Sequence, residues 1–149
     1  MSMIDFLASL SELYERRMVP ISTSFDLTSM ELAILLFLAN NPEYDTAKDI
    51  TKKRHLTKSH VSVSVRDLEE RGFIRKERRD GNNRTFHLVL LSSSDDIIHE
   101  GQRAQAEFLS SVTTGFSDRE TELFQTFVDR MNKNVLCSLD QLRKEGSSR

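Results

Sequence analysis

The sequence predicts a mainly α-helical protein that contains one small β-hairpin. The chain has 149 residues, of which only five are Gly and two are Pro, and 30% are charged, a composition typical of long helices with few loops. Apolar residues recur at spacings of three and four along most of the chain, whereas two short strand-like runs flank a turn near Gly81. Because the chain is long enough for one sizeable core but short for two, we expect residues 1–149 to form a single domain.

Two helices are predicted in the N-terminal part of the chain. The first covers residues 4–21 and should end near Pro20 and the polar run STS. Its apolar stripe consists of Leu7, Leu10, Tyr14, Met18 and Ile21. Thr28 and Glu31 match a capping box that starts a second helix at Ser29. This second helix is apolar nearly all round, so we expect it to form the buried centre of the fold.

A short helix and a longer helix follow. Thr46 and Asp49 repeat the capping pattern and start the short helix, TAKDITKKRH. The next run, HVSVSV at residues 60–65, alternates polar and apolar residues like a half-buried strand. A helical stripe covers more of this segment, and Gly72 stands at a natural position for the glycine after a helix. The stripe consists of Val61, Val65 and Leu68. Its greater length favours a helix that begins near Thr57.

Beyond this helix, two short strands and two long helices are predicted. The strands are FIRKERR and RTFHLVLL, and the residues between them tolerate the conformations of a tight turn. These turn residues are Asp80, Gly81, Asn82 and Asn83. A long helix is predicted from Ser94 to about Thr114, and a capping box of Ser117 and Glu120 starts the last helix. The apolar stripe of the last helix consists of Leu123, Phe127, Met131, Val135, Leu139 and Leu142.

Positive charge is concentrated in the middle of the chain, although the net charge of the whole is −2. Residues 1–47 hold 2 basic and 7 acidic residues, residues 48–84 hold 12 and 6, and residues 85–149 hold 7 and 10. The net charges of the three segments are therefore −5, +6 and −3. A basic segment between acidic flanks is expected when one part of a fold faces a polyanion. The alternative is a basic surface that faces only solvent.

The short helix, the turn and the next helix form a helix-turn-helix, and the basic hairpin makes it the winged variant. The second helix of such a unit fits the major groove of DNA, and a wing can contact phosphate or the minor groove. The predicted contacts from the helix are Thr57, Lys58, Ser59, His60, Ser62, Val63 and Arg66. The predicted contacts from the wing are Arg75, Arg78, Arg79 and Arg84. The apolar Val63 on this polar face suits a thymine methyl group, and a tolerated surface valine is the alternative.

The runs LTSMELAILLFLANN and TAKDITKKRHLTKSHVSVSVRDLEERGFIRKERRDGNNRTFHLVL resemble the MarR family of winged helix-turn-helix transcriptional regulators. The resemblance spans about residues 27–91, which would be the DNA-binding lobe. It implies a homodimer, built from helices in residues 1–26 and 92–149, that binds a roughly palindromic operator on double-stranded DNA. The wing departs from the Asp-x-Arg pattern of the family, because Asn82 and Arg84 stand at the matching positions.

The resemblance also implies a ligand-responsive repressor, because many relatives release DNA when a small aromatic or phenolic effector binds. Such a molecule would bind between the dimerisation region and the DNA-binding lobe. Five residues could line its pocket, and each of them is more simply explained as ordinary core packing. They are Tyr14, Met18, Phe25, Phe37 and Phe108.

Other functions have less support in the sequence. The longest apolar run, LAILLFLA, is too short to cross a bilayer, and no signal peptide is apparent, so we expect a cytoplasmic protein with no membrane association. Cys137 lies among apolar residues with no adjacent base or cation, so a buried, inert thiol is expected, and a redox-sensing cysteine is the alternative. No phosphate-binding loop or catalytic motif is present, so we predict neither an enzyme nor a cofactor or metal site. The alternative function is a winged-helix module that binds protein, although the basic central segment favours DNA.

Overall fold

The structure is a computed structural model that describes residues 2–79, 81 and 84–146. Along these residues the chain forms six α-helices and one antiparallel hairpin. The elements are α1 (Met3–Ser24), α2 (Ser29–Asn40), α3 (Ala47–Arg54), α4 (Lys58–Glu70), β1 (Ile74–Glu77), β2 (His87–Leu90), α5 (Asp95–Val112) and α6 (Asp118–Gly146). The predicted fold class, mainly helical with a hairpin wing, is confirmed. The chain divides into two compact units, Met1–Leu109 and Ser110–Arg149.

Helix α2 is the buried centre of the first unit, as its composition predicts. Its capping box is present, because Glu31 N–H donates to Thr28 Oγ1 at 3.1 Å and Thr28 N–H donates to Glu31 Oε2 at 2.8 Å. The side chains buried along it are Leu32, Ile34, Leu35, Leu36, Phe37 and Leu38. Helix α5 approaches it closely at Gly101, where an added Cβ would lie 2.6 Å from Leu36 Cδ2. A larger residue at this position would force the buried Leu36 side chain to shift.

Helix α1 continues through Pro20 and ends at Ser24, the last residue of the polar run STS, as predicted. Proline lacks the N–H that would bond to a carbonyl one turn earlier, which usually disfavours the helix interior. Here Met18 and Ile21 are both buried, and their packing in the core offsets the lost hydrogen bond. Ser24 Oγ also donates to the Pro20 carbonyl at 2.9 Å. The last residue of the STS run is therefore hydrogen-bonded to the preceding turn of the helix.

Helices α3 and α4 form the predicted helix-turn-helix. The capping box of α3 joins Thr46 and Asp49, with Asp49 N–H donating to Thr46 Oγ1 at 3.1 Å. The helical interpretation of the segment after Thr57 is confirmed over the strand, because its stripe is buried in the core. This stripe consists of Val61, Val65 and Leu68. Gly72 follows α4 with φ of +74°, a left-handed conformation that favours glycine.

The wing is short, and its two paired strands contain fewer residues than the predicted runs. Ile74 pairs with Leu90 at one end of the hairpin, and Glu77 pairs with His87 at the other. Ile74 is buried in the core, which anchors the end nearest α4. Of the predicted turn residues, Asp80, Asn82 and Asn83 lie outside the described residues.

The C-terminal helices match their predicted order. Helix α5 begins at Asp95 after a 3₁₀ turn, Ser92–Ser94, and α6 begins with the predicted capping box, in which Ser117 N–H donates to Glu120 Oε2 at 2.8 Å. None of the residues of α6, all of which the structure describes, is buried. The predicted burial of Cys137 is therefore wrong, since this thiol is exposed on α6. Apolar neighbours along a helix do not bury a side chain unless another element covers that face.

No single helix in the described part of the chain is long and apolar enough to cross a membrane. Only α1 and α2 taken together, across a bend of 100°, reach that length and composition.

Candidate nucleic-acid interface

Helix α4 presents one polar face to solvent. The exposed residues on and beside this face are Lys58, Ser59, His60, Ser62, Val63 and Arg66, all of them predicted contacts. The opposite side is fixed in the core by Val61, Val65 and Leu68, so the helix cannot rotate without exposing them. Val63 is 48% exposed, an unusual position for an apolar side chain between serines and an arginine. The direction of the polar face is thus set by the burial of the apolar residues on the opposite side of α4.

The start of α4 is open to an anion. Thr57 occupies the N-cap position with extended backbone, which confirms the predicted start of the helix, but its side chain makes no capping hydrogen bond. The first turn contains no acidic residue. Backbone N–H groups and the positive end of the helix dipole at such a terminus favour phosphate. Thr57 is exposed at this terminus and its hydroxyl can add a further donor.

Arg66 extends from the middle of the polar face into solvent. Its side chain is 62% exposed, and Nε lies 3.8 Å from the carboxylate of Asp67, beyond hydrogen-bond distance. An exposed pair at this separation contributes little to stability. The guanidinium can therefore exchange this contact for a bidentate bond to a base edge or a phosphate at small cost.

The arginines of the wing are held by contacts within the protein. Glu77 accepts from Arg75 Nη2 at 3.1 Å and from Arg79 Nε at 3.1 Å. The guanidinium of Arg78 lies 4.8 Å from the ring centroid of Phe86, in a cation–π arrangement. Arg84 is exposed beside the turn. Four predicted wing contacts thus lie on one hairpin, but two of them share a single carboxylate.

Asp45 joins the wing to the segment before α3, and sequence reasoning missed it. Its Oδ1 lies 2.6 Å from His87 Nδ1, and its Oδ2 lies 2.8 Å from Arg79 Nη1. Burial would by itself raise the pKa of the Asp45 carboxyl, but the hydrogen bonds and charges of His87 and Arg79 together outweigh it and hold that pKa below its ordinary value. No local signal predicts this contact, because the partners are distant in sequence.

Arg71 anchors the far end of α4 and is a second contact that the sequence did not indicate. Its guanidinium donates to the Asp26 carbonyl at 2.6 Å and to the Phe25 carbonyl at 3.0 Å. It also lies 3.8 Å from the buried carboxylate of Glu31 and 5.1 Å from the ring centroid of Phe73. The end of the polar helix is therefore bound to the loop between α1 and α2.

A cavity of about 380 Å³ lies where α3, α4 and the wing meet. Its lining includes Lys48, Lys76, Arg84, Ser62 and Phe86. Three basic side chains around one concave surface suit a negatively charged partner. Among the described residues, no group of three or more His, Cys, Asp or Glu side chains could hold a metal ion.

The fold and this interface define a winged helix-turn-helix protein. The family model described as "MarR family" matches residues 25–84, which include α2, α3, α4 and β1. The chain is 22% identical over 113 residues to an uncharacterized HTH-type transcriptional regulator, YdgJ, of Bacillus subtilis. The aligned region covers 76% of this chain and 67% of that protein.

Solved structures share the fold. The transcriptional regulator PA3341 matches with a TM-score of 0.77 at 21% identity, over 90% of this chain and 98% of that one. MepR of S. aureus, solved as a complex with DNA, matches with a TM-score of 0.71 at 19% identity, over 91% of this chain and 98% of that one. The MarR family model thus matches the winged helix-turn-helix part of the chain, and the solved structures show the same fold.

Proposed function

We propose that this protein binds double-stranded DNA in a sequence-specific manner, with α4 in the major groove and the wing beside it. The observation that carries the proposal is the exposed polar face of α4. The opposite side of this helix is buried in the core, and the adjacent hairpin is rich in arginine. A helix held in this way can read base edges with its N-terminal half. The fold shared with the MepR–DNA complex supports the same use of the surface.

Thr57, Lys58 and the backbone at the start of α4 would bind phosphate and position the helix. Ser59, Ser62, Val63 and Arg66 would face the base edges, with His60 at the side of the groove. Arg66 suits a guanine, which offers two acceptors to a guanidinium. In the wing, Arg75, Arg78, Arg79 and Arg84 would add phosphate or minor-groove contacts.

A homodimer is the proposed DNA-binding form. The apolar stripe of α6 is exposed in the single chain, with Phe127 at 53%, Met131 at 52% and Val135 at 54% exposure. Such a stripe is expected to be covered by another surface, and a two-fold symmetric dimer is the commonest solution. Two copies of α4 would then read two half-sites of a palindromic operator about one helical turn apart.

The proposed regulation is repression in the cytoplasm that a small aromatic effector relieves. A cavity of about 260 Å³ in the first unit supports this proposal, because Tyr14 and Met18 line it together with Leu32 and Leu36. Phe25, Phe37 and Phe108 are not among its lining residues. A thermal-shift screen of small aromatic acids and phenols tests this proposal, and Ala33→Leu, at a half-buried lining residue, should reduce any shift by filling the cavity.

The DNA proposal is tested by fluorescence anisotropy with a pool of duplexes, followed by selection of the bound sequences. Affinity should fall steeply with salt, with a log–log slope of about −0.9 for each phosphate neutralised. Selection should enrich an inverted repeat, and sedimentation should show two chains per duplex. Absence of binding to any duplex at low salt would contradict the proposal and favour a winged-helix module that binds protein.

A further inference from the structure

Among the described residues, three hydrogen bonds of Asp45 join the wing to the segment before α3. One carboxylate oxygen contacts His87 Nδ1 at 2.6 Å, and the other contacts Arg79 Nη1 at 2.8 Å. The backbone carbonyl of Asp45 accepts from Leu88 N–H at 2.7 Å. The next residue, Thr46, forms an isolated antiparallel bridge with His87. These contacts place Asp45 against both arms of the hairpin.

The hairpin needs such a contact because it cannot fix its own orientation. Each strand has only four residues, and a two-stranded hairpin is marginal without further packing. Buried Ile74 and Leu88 and the ion pair of Lys76 with Glu69 at 3.0 Å hold the strands against the core and α4. Glu77 and His87 close the end of the paired region nearest the turn. Arg79 follows β1 and His87 begins β2, so one carboxylate holds both arms at the end nearest the turn.

We propose that Asp45 is a positioning residue for the wing, and that its contacts with Arg79 and His87 fix where Arg78 and Arg84 lie beside α4. This inference rests on the proposed DNA binding and names a residue outside the DNA-contacting set. In this arrangement Arg79 mainly holds the wing in place, since its Nη1 is bound to Asp45 and its Nε to Glu77. Asp45 itself is 17% exposed and faces the protein.

The chemistry of the carboxylate explains why aspartate suits this position. Its two oxygens each accept from a different partner, and both bonds are strengthened by negative charge. Asparagine has nearly the same shape, but it offers one acceptor oxygen and an NH₂ group. That NH₂ group would face either the guanidinium of Arg79 or the ring of His87. Asp45→Asn therefore removes the negative charge from both contacts with little change in volume, and it keeps a hydrogen bond to His87 only if Nδ1 of the ring becomes the acceptor.

Glu77→Gln is the matched control. Glu77 also binds Arg79, at 3.1 Å, and it binds Arg75, but all three residues lie in the same hairpin. The change weakens contacts within the wing and leaves the connection to the segment before α3 in place. If any lost ion pair loosened the wing, both variants would behave alike. If Asp45 has the proposed role, only Asp45→Asn should release the hairpin from α3.

The test is hydrogen–deuterium exchange of the DNA-free protein, read at the Leu88 amide and in peptides from residues 84–91. Loss of charge-assisted hydrogen bonds in Asp45→Asn should accelerate exchange at these amides on the order of tenfold. The exchange rates of amides in α4 and α2 should stay unchanged. Glu77→Gln should show a much smaller change. If Asp45→Asn unfolds the first unit, Arg79→Met removes one of the same contacts and serves in its place. Unchanged Leu88 exchange in the folded variant overturns the inference.

DNA binding supplies the second readout. Asp45→Asn should lower operator affinity several-fold while the ranking of operator variants stays the same, because α4 sets base preference. The effect of Arg78→Ala should shrink in the Asp45→Asn background, since a displaced wing no longer presents Arg78 to DNA. Additive effects would overturn the inference. Wild-type protein that binds no duplex would contradict the proposed function alone, because the exchange experiment needs no DNA.

Discussion

Helix α4 and the wing both carry predicted DNA contacts, but they hold their polar side chains in different ways. On α4, Arg66 extends into solvent and lies 3.8 Å from its nearest carboxylate. In the wing, Arg75 and Arg79 are hydrogen-bonded to Glu77, and Arg79 also to Asp45. The helix thus offers side chains that can turn toward a base, whereas part of the charge in the wing stabilises the wing itself. A count of basic residues along the sequence cannot make this distinction.

The difference also appears in how each element is attached. Helix α4 is fixed by three buried apolar residues and by Arg71 at its end, so its orientation follows from core packing. The wing has buried Ile74 and Leu88, and its polar contacts join Asp45 to Arg79 and His87 and Lys76 to Glu69 of α4 at 3.0 Å. Polar contacts at a surface are weaker than a packed core and respond to charge. Substitutions in the two regions should therefore have different signatures.

The largest effect is expected for Arg66→Ala. Loss of a bidentate contact with guanine should cost about 1–3 kcal/mol of operator affinity and relax preference at one position in each half-site. Anisotropy titrations with the operator and its single-base variants measure both quantities. Arg16→Ala is the control, since it removes an exposed arginine from α1, where the side chain pairs only within that helix at 2.8 Å. Equal behaviour of the two variants would show that α4 does not read bases through Arg66.

A smaller and uniform effect is expected for Arg78→Ala. Loss of one phosphate contact should weaken all duplexes about equally and reduce the salt slope by about one. The same change at Arg75 should have less effect, because Glu77 already neutralises that side chain at 3.1 Å. Salt titrations of both variants against operator and unrelated DNA measure the difference. A changed ranking of operator sequences in Arg78→Ala would mean that the wing also contributes base preference.

Val63→Ser should affect one base pair in each half-site. If the side chain packs against thymine, each methyl group that loses this contact costs about 0.8 kcal/mol. Thermal stability should stay unchanged, because Val63 is 48% exposed. Val63→Thr keeps one methyl group and should give an intermediate preference. Identical preferences in wild type and both variants would identify Val63 as an ordinary surface residue.

The smallest expected effect is on the free energy of unfolding at acid pH, through the Asp45 carboxyl. The pKa of Asp45 is lower in the folded protein than its ordinary value of 3.8, so folding is favoured when this carboxyl is ionised. Its stabilisation is complete above the unfolded pKa and is lost as the pH falls through the folded pKa. Wild type should therefore lose slightly more stability than Asp45→Asn between about pH 5 and pH 3. Urea unfolding at each pH measures this difference, and parallel curves would contradict it.

Much of the proposed DNA-binding surface could be predicted from local patterns in the sequence. The capping boxes at Thr28, Thr46 and Ser117 are all present, since each involves residues three apart in the chain. The burial of Val61 and Val65 follows from helical spacing, and the exposure of Val63 between them follows from the same geometry. A helix converts sequence spacing into direction, so the outward face of α4 was predictable before any packing was known.

Other features depended on packing between distant segments. Pro20 lies inside a helix because buried neighbours hold it there, and Cys137 is exposed because none of the residues of α6 is buried. At Cys137 the local composition indicated a buried environment and the tertiary structure provides an exposed one. The same limit applies to the arginines of the wing, whose partners could not be assigned from a basic run alone.

The sequence by itself determined the order of the helices, the hairpin, the basic central segment and the outward face of α4. Only the tertiary structure decided which charges are available and which serve as internal contacts. Asp45 meets Arg79 and His87, and Arg71 meets the loop before α2, only after the chain folds. Helical periodicity is a local property of the backbone, whereas an ion pair between distant residues depends on how whole elements pack.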